Sequence, residues 1–242
     1  MSSFGTKTAM GSVLLICNDS VVIQEVAEGM RAFAITTEVC GAVSMALALL
    51  SRQKFEAVMV DAGVGQVSEI LEQVRQSPSN RTAVTFAIVD SQKPAALTIQ
   101  PNFVMEKPLV TSSVGRTLKA AFGLIVRERR RSFRCPTTLP AVVLNNGTEA
   151  NCHVVNISEG GMAIAESPVL KPGGQVRVLF RLPGQPVRFM VESEVCWYDE
   201  RGRAGLRSLL IASGHKSILQ EWLAARLEES LPESVASQFR KD

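Results

Sequence analysis

The chain has 242 residues, 46% of them hydrophobic and 20% charged, which is the balance of an ordinary folded protein and leaves room for two small domains. A formal net charge of +3 is too small for general nucleic-acid binding, and no apolar run approaches the roughly 20 residues that a membrane span needs. Met1 to Gly11 has neither a basic start nor a long apolar segment, so an unexported, cytoplasmic protein is expected.

Residues 12–131 read as alternating strands and helices. The apolar run Val13 to Cys17 predicts a strand, and a helix capped by Ser20 or Asp19 follows, with Val22, Val26 and Met30 on one face. Next come a strand near Ala34 to Val39, a helix Val43 to Leu50, and a strand Ala57 to Val60 ending in Asp61. A helix around Ser68 to Arg75 and a strand Ala83 to Val89 continue the rhythm. About a dozen residues, Gln92 to Asn102, then leave space for a short helix at most before a last strand, Phe103 to Glu106. Short apolar strands separated by helices imply a five-stranded parallel sheet covered on both faces. From Thr111 to about Arg131, Val114, Leu118, Phe122 and Ile125 form one helical stripe. This helix joins the domains and is the candidate surface for a homo-oligomer.

From Thr138 onward the pattern changes to successive strands: Leu139 to Leu144, the Asn146-Gly147 turn, Asn151 to Ser158, Met162 to Ala165, Gln175 to Leu182, Val187 to Tyr198 and Ala204 to Leu210. The closing stretch His215 to Leu231 reads as a helix. Six antiparallel strands with a terminal helix suggest a small closed barrel. The expected domains are therefore 1–126 and 127–242, with an arginine-rich hinge at 127–137.

Two local patterns in the second domain carry chemistry. Arg127, Arg129, Arg130, Arg131 and Arg134 lie within eight residues, opposed only by Glu128. Downstream stands Asn156-Ile157-Ser158-Glu159-Gly160-Gly161. Strict alternation puts His153, Val155 and Ile157 inward and Val154, Asn156 and Ser158 outward. The missing Cβ atoms of Gly160 and Gly161 let a ligand or another backbone approach closely. The five cysteines are scattered without CxxC or Cys/His spacing, which indicates neither disulfides nor zinc; His153 and His215 are the only histidines and no Ser or Cys sits in a recognisable nucleophile motif, so no enzyme is expected. Trp197 and Trp222 read as packing residues rather than base-stacking platforms.

Together the Arg-x-x-x-Arg pair (Arg130, Arg134), the Asn156/Ser158/Gly161 motif, Val195-Cys196-Trp197 and Gly205-Leu206-Arg207 resemble the PilZ family over roughly Glu128 to Leu227. The resemblance implies a six-stranded barrel with a C-terminal helix, cyclic di-GMP as ligand, and outputs in motility, exopolysaccharide or biofilm. A guanidinium fork suits both phosphate and the guanine O6/N7 edge. Arg130 and Arg134 are thus assigned to phosphate and guanine edges, and Asn156 and Ser158 to the second base or phosphate. Gly160 and Gly161 leave room, and Arg131 and Arg129 stand as further contacts. Arg129 would help to neutralise a stacked pair of ligands, a stoichiometry that spacing leaves open. Ligand binding would order the hinge and change domain arrangement or the binding of a downstream protein.

Ser12 to Val126 resembles a response-regulator receiver. The resemblance implies Asp61 as phosphoacceptor, Asp19 with Asp61 as ligands of Mg²⁺, and Lys107 as partner of the phosphate charge. Asn18 stands where a further acidic residue is usual, and Asp90 or Ser91 where a Ser/Thr switch is usual. Three readings follow: a cyclic di-GMP effector with a pseudo-receiver, a phosphorylation-controlled regulator with an interaction barrel, and a nonspecific nucleic-acid binder using the basic helix end.

Overall fold

The computed structural model describes residues 10–92 and 97–231. Its contacts divide into two compact units, with the division between Arg129 and Arg130 and the second unit ending at Glu229.

The first unit holds β1 (Gly11–Ile16), α1 (Ser20–Arg31), β2 (Ile35–Cys40), α2 (Val43–Arg52), β3 (Ala57–Asp61), α3 (Val67–Gln76), β4 (Val84–Asp90), β5 (Phe103–Lys107) and most of α4 (Thr111–Ser132). All strand pairs are parallel, in the order β2-β1-β3-β4-β5. Side chains 13–16 and 57–61 are all buried, because helices cover both faces. On one face Leu14, Ile16, Val58, Val60 and Ala87 pack against Ala46 and Leu50 of α2 and Ile70, Leu71 and Val74 of α3. Elsewhere in the unit α1 and α4 approach each other at Gly29, where a Cβ would stand 2.9 Å from a Leu118 methyl, and Phe33 lies 4.9 Å from Phe122.

The expected elements are all present, with ends displaced by a few residues. Asp19, rather than Ser20, caps α1. The loop expected to hold little or no helix lies partly outside the described residues, and residues 97–102 are not helical. Residues 127–132, expected within a hinge, continue α4, and a strand begins at Cys135.

The second unit holds β6 (Cys135–Asn145), β7 (Thr148–Ser158), β8 (Gly161–Ala165), β9 (Gln175–Arg181), β10 (Arg188–Tyr198), β11 (Ala204–Ile211) and α5 (Ser213–Ser230). The strands close in the order β10-β11-β8-β7-β6-β9, all antiparallel. Asn146 and Gly147, at φ 50° and 81°, make the tight turn between β6 and β7 that the Asn-Gly pair favours. Val143, Val154, Ile157, Ile164, Val178, Phe189 and Val191 fill the interior, and Leu219, Trp222 and Leu223 of α5 join that core.

Strict alternation fails in β7. Cys152 and Val154 point into the core, yet so does Ile157, because the pairing with β8 slips between Val154 and Asn156. A bulge inserts one residue and reverses the faces beyond it. The expectation that Val154 faces outward and His153 inward is therefore wrong: His153 is half exposed, 3.0 Å from Glu166. Asn156 and Ser158, both beyond the bulge, do share the face opposite Ile157.

Candidate functional site

Register places a site on the outer face of the barrel. Trp197 of β10 pairs with Gly205 of β11, Gly205 with Ala163 of β8, and Ala163 with Asn156 of β7. The next row is Glu194, Arg207, Gly161 and Ser158. Directly paired residues share a face of the sheet, so these eight form one surface. Its centre consists of Gly205, Ala163 and Gly161, and larger side chains stand around it.

The two glycines do different work. A Cβ on Gly205 would overlap the indole of Trp197, which lies across it while the tryptophan stays 46% exposed. A Cβ on Gly161 would overlap the Leu206 carbonyl oxygen, so the space at Gly161 is filled by the backbone of β11 rather than kept for a ligand. Gly160 has no atom within 4 Å of the Cβ position and does border open space. Ser158, expected to point outward, is buried, and its hydroxyl donates to the Gly161 carbonyl at 3.0 Å. It shapes the turn. Asn156 is half-buried, and its Oδ1 is enclosed without a hydrogen-bond partner. An enclosed, unpaired amide oxygen is costly and rare in a settled structure.

Of the arginines, Arg131 and Arg134 are exposed and Arg130 half-buried, all in the second unit. Arg129 belongs to the first, where its Nη1 lies 3.6 Å from Glu56. Arg207 projects from the platform and pairs with Glu194 at 2.6 Å. Sequence reasoning read Trp197 as a packing residue, yet it is 46% exposed, and used Arg207 only within the family resemblance, with no contact assigned to it. Their placement depends on cross-strand register, and only the glycine opposite the tryptophan hints at it.

At the carboxyl ends of the parallel strands, Asp19, Asp61 and Lys107 converge beside the β1/β3 switch point. Lys107 Nζ donates to Asp61 Oδ2 at 2.9 Å and to Asp19 Oδ2 at 3.2 Å. Asp61 is buried; its Oδ2 also accepts from the Cys17 thiol at 3.1 Å, and its Oδ1 from Gly63 N–H at 3.1 Å. Asp19 Oδ1 caps α1 through Val21 and Val22 N–H. The Lys107 hydrogen bond and the Val22 N–H hold the Asp19 carboxyl below its usual range. Burial opposes the Lys107 charge, but its bonds to Asp61 and Asp19 outweigh this and raise its pKa. Burial, then the bond to Asp61, pushes the Cys17 thiol up to about 12.

These residues do not fit the expected Mg²⁺ centre. Mg²⁺ binds as a rule through carboxylates, yet Asp19 and Asp61 are both engaged by one ammonium, and Asn18 is turned to the Gly41 carbonyl at 2.9 Å. Among the described residues no group of three or more His, Cys, Asp or Glu is placed to hold a metal. At the usual switch position, Asp90 ends β4 opposite Lys107 in register and accepts from Gln92 N–H. Among the described residues no helix is long and apolar enough to cross a membrane.

No curated protein matches the chain. Among solved structures, the Bacillus subtilis inhibitor of motility is 24% identical over 38% of this chain and 48% of its own, with a TM-score of 0.34. This chain thus spans about half the length of that protein. A receiver domain of a Pseudomonas aeruginosa sensor histidine kinase, with magnesium in its active-site cleft, is 16% identical over 47% of this chain and 98% of its own, with a TM-score of 0.42. The Borreliella burgdorferi PlzA protein in complex with c-di-GMP is 15% identical over 47% of each chain, with a TM-score of 0.32. Residues 128–225 match the PilZ domain family. Residues 128–225 therefore form a PilZ domain, preceded in the chain by the five-stranded parallel-sheet unit.

Proposed function

We propose that the chain is a signalling effector that binds cyclic di-GMP on the outer face of its PilZ barrel. The observation that carries this reading is Asn156. Its Oδ1 is enclosed and unpaired, and register puts the residue in the row that holds Trp197, beside the row that holds Arg207. Guanine offers N–H donors on its Watson–Crick edge, and one of them satisfies that oxygen. Arg130 and Arg134 bind phosphate and the O6/N7 edge, with Arg131 adding charge. Trp197 gives a purine a face on which to stack, and Ser158 holds the turn. Occupancy changes what the chain presents to a downstream protein.

Titration calorimetry with cyclic di-GMP tests this reading. The wild type should bind at micromolar concentration or tighter, which is about 8 kcal/mol or more. Arg130→Ala and Arg134→Ala should abolish the heat while circular dichroism is unchanged. Trp197→Ala should weaken binding about tenfold, the lower range for loss of one stacked base. Unchanged affinity in both arginine variants sinks the assignment. A steep salt dependence without preference for the cyclic dinucleotide over other nucleic acids would favour nonspecific binding instead.

A further inference from the structure

The apolar stripe of α4, expected as the surface for a second copy, is already covered: Val114, Leu118, Phe122 and Ile125 are all buried. The barrel carries an apolar surface that is not. Along β6, β9 and β10 buried residues alternate with half-exposed or exposed ones, and the exposed sets point outward. Register sorts them into three rows. The middle row is apolar, with Val142 beside Leu179 and Leu179 beside Met190, which is 49% exposed. On one side of it Arg181 pairs with Arg188. On the other side Leu144 pairs with Arg177, and Arg177 with Glu192. That third row runs on to Leu210 of β11, which is 60% exposed. Two arginines directly across from each other cost stability, and a contiguous apolar strip on a folded domain marks a contact surface.

We infer that this face binds a second copy of the chain about a two-fold axis that runs along the row of Val142, Leu179 and Met190. Such an axis lays the apolar row of one copy on the same row of the other and turns each flanking row onto the opposite one. Arg188 then meets Glu192 of the second copy, twice in the dimer. Arg181 meets Arg177 of the second copy, a like-charged match. An axis along the strands would instead set the Arg181 and Arg188 row on itself, and charge repulsion rules against it. Three rows about 6.7 Å apart on four strands about 4.8 Å apart cover roughly 400 Å² per copy. Stable complexes bury about 1,200–2,000 Å² in total, so the dimer is weak and reversible, with a Kd near ~100 μM. Strands β11 and β8, which carry Gly205, Ala163 and Gly161, lie across the closed strand order from β6 and β9, so the dimer leaves that surface open.

Sedimentation velocity of the full chain, without nucleotide, from about 5 to about 500 μM tests this. The wild type should pass from monomer to dimer across that range. Met190→Glu, at an exposed position, should remain a monomer throughout with an unchanged melting curve. The two paired arginines should act in opposite directions. Arg188→Glu sets a carboxylate against Glu192 and should weaken the dimer about fivefold, whereas Arg181→Glu sets one against Arg177 and should tighten it about fivefold. Adding Glu192→Arg to Arg188→Glu should return the Kd to within about twofold of wild type. A wild type that stays monomeric throughout, a dimer that persists in Met190→Glu, or arginine variants that both shift the Kd in one direction overturns the inference.

Discussion

Gly160 and Gly161 are adjacent in sequence, yet alanine should affect them in opposite ways. At Gly161 the new Cβ overlaps the Leu206 carbonyl oxygen and stands 3.2 Å from the Arg207 Cα, and both are backbone atoms that cannot swing aside. Strand β8 must move away from β11, where Gly161 to Ile164 pair with Arg207 to Ala204. Overpacking of this kind costs about 1–3 kcal/mol, and each ladder hydrogen bond lost adds about 1 kcal/mol. A loss near 3 kcal/mol in a unit of about 100 residues lowers its melting temperature by roughly 15 °C. Trp197 and Trp222 are the only tryptophans and both belong to the barrel, so intrinsic fluorescence follows that unit alone. Gly160→Ala meets nothing within 4 Å and should melt within about 2 °C of wild type. If Gly161→Ala also melts within about 2 °C, the close approach of β11 does not explain this glycine.

Lys107→Ala leaves the buried Asp61 without its ammonium and should destabilise the first unit by about 3 kcal/mol, read from the loss of its helical signal in urea. The pH dependence has a definite sign: Lys107 and Cys17 both have raised folded-state pKa values, so their stabilisation is complete below the unfolded values and fades as pH rises. Urea midpoints for that unit should fall from about pH 9 upward, toward the Cys17 value of about 12, and flat midpoints there would contradict the cluster. Iodoacetamide at pH 8 should label Cys196 alone, since Cys17, Cys40, Cys135 and Cys152 are buried with raised pKa values; mass spectrometry of the peptides decides it. Acetyl phosphate with Mg²⁺ should leave Asp61 unmodified, and an acid-stable, hydroxylamine-sensitive phosphate on it would restore the phosphorylation reading.

The order of elements was legible because β1, β3 and β4 are short, mostly apolar runs and helices such as α1 and α4 carry an apolar stripe. Val13 to Cys17 and the Val114, Leu118, Phe122 and Ile125 series needed no tertiary information. The face of β7 did, since nothing in Val154-Val155-Asn156 announces a bulge that depends on how β8 pairs with it. Gly161 was found for its spacing, but its reason lies on β11, about 45 residues away. Arg129 looked like one more member of a basic cluster until Glu56, far upstream, stood opposite it. Charge partners so distant in sequence leave no local pattern; Asp19, Asp61 and Lys107 came together only through the family resemblance, which implied a metal pair where Lys107 bridges the two carboxylates.

The closed strand order of the barrel and the open order of the parallel sheet carry different hazards. The barrel closes on itself, whereas among the described residues β2 and β5 each present an unpaired edge with one exposed valine, Val39 and Val104. Intermolecular strand addition in concentrated or warmed samples should therefore start at β2 or β5. A lysine at either valine is the substitution that should keep the protein in solution longest without touching the barrel.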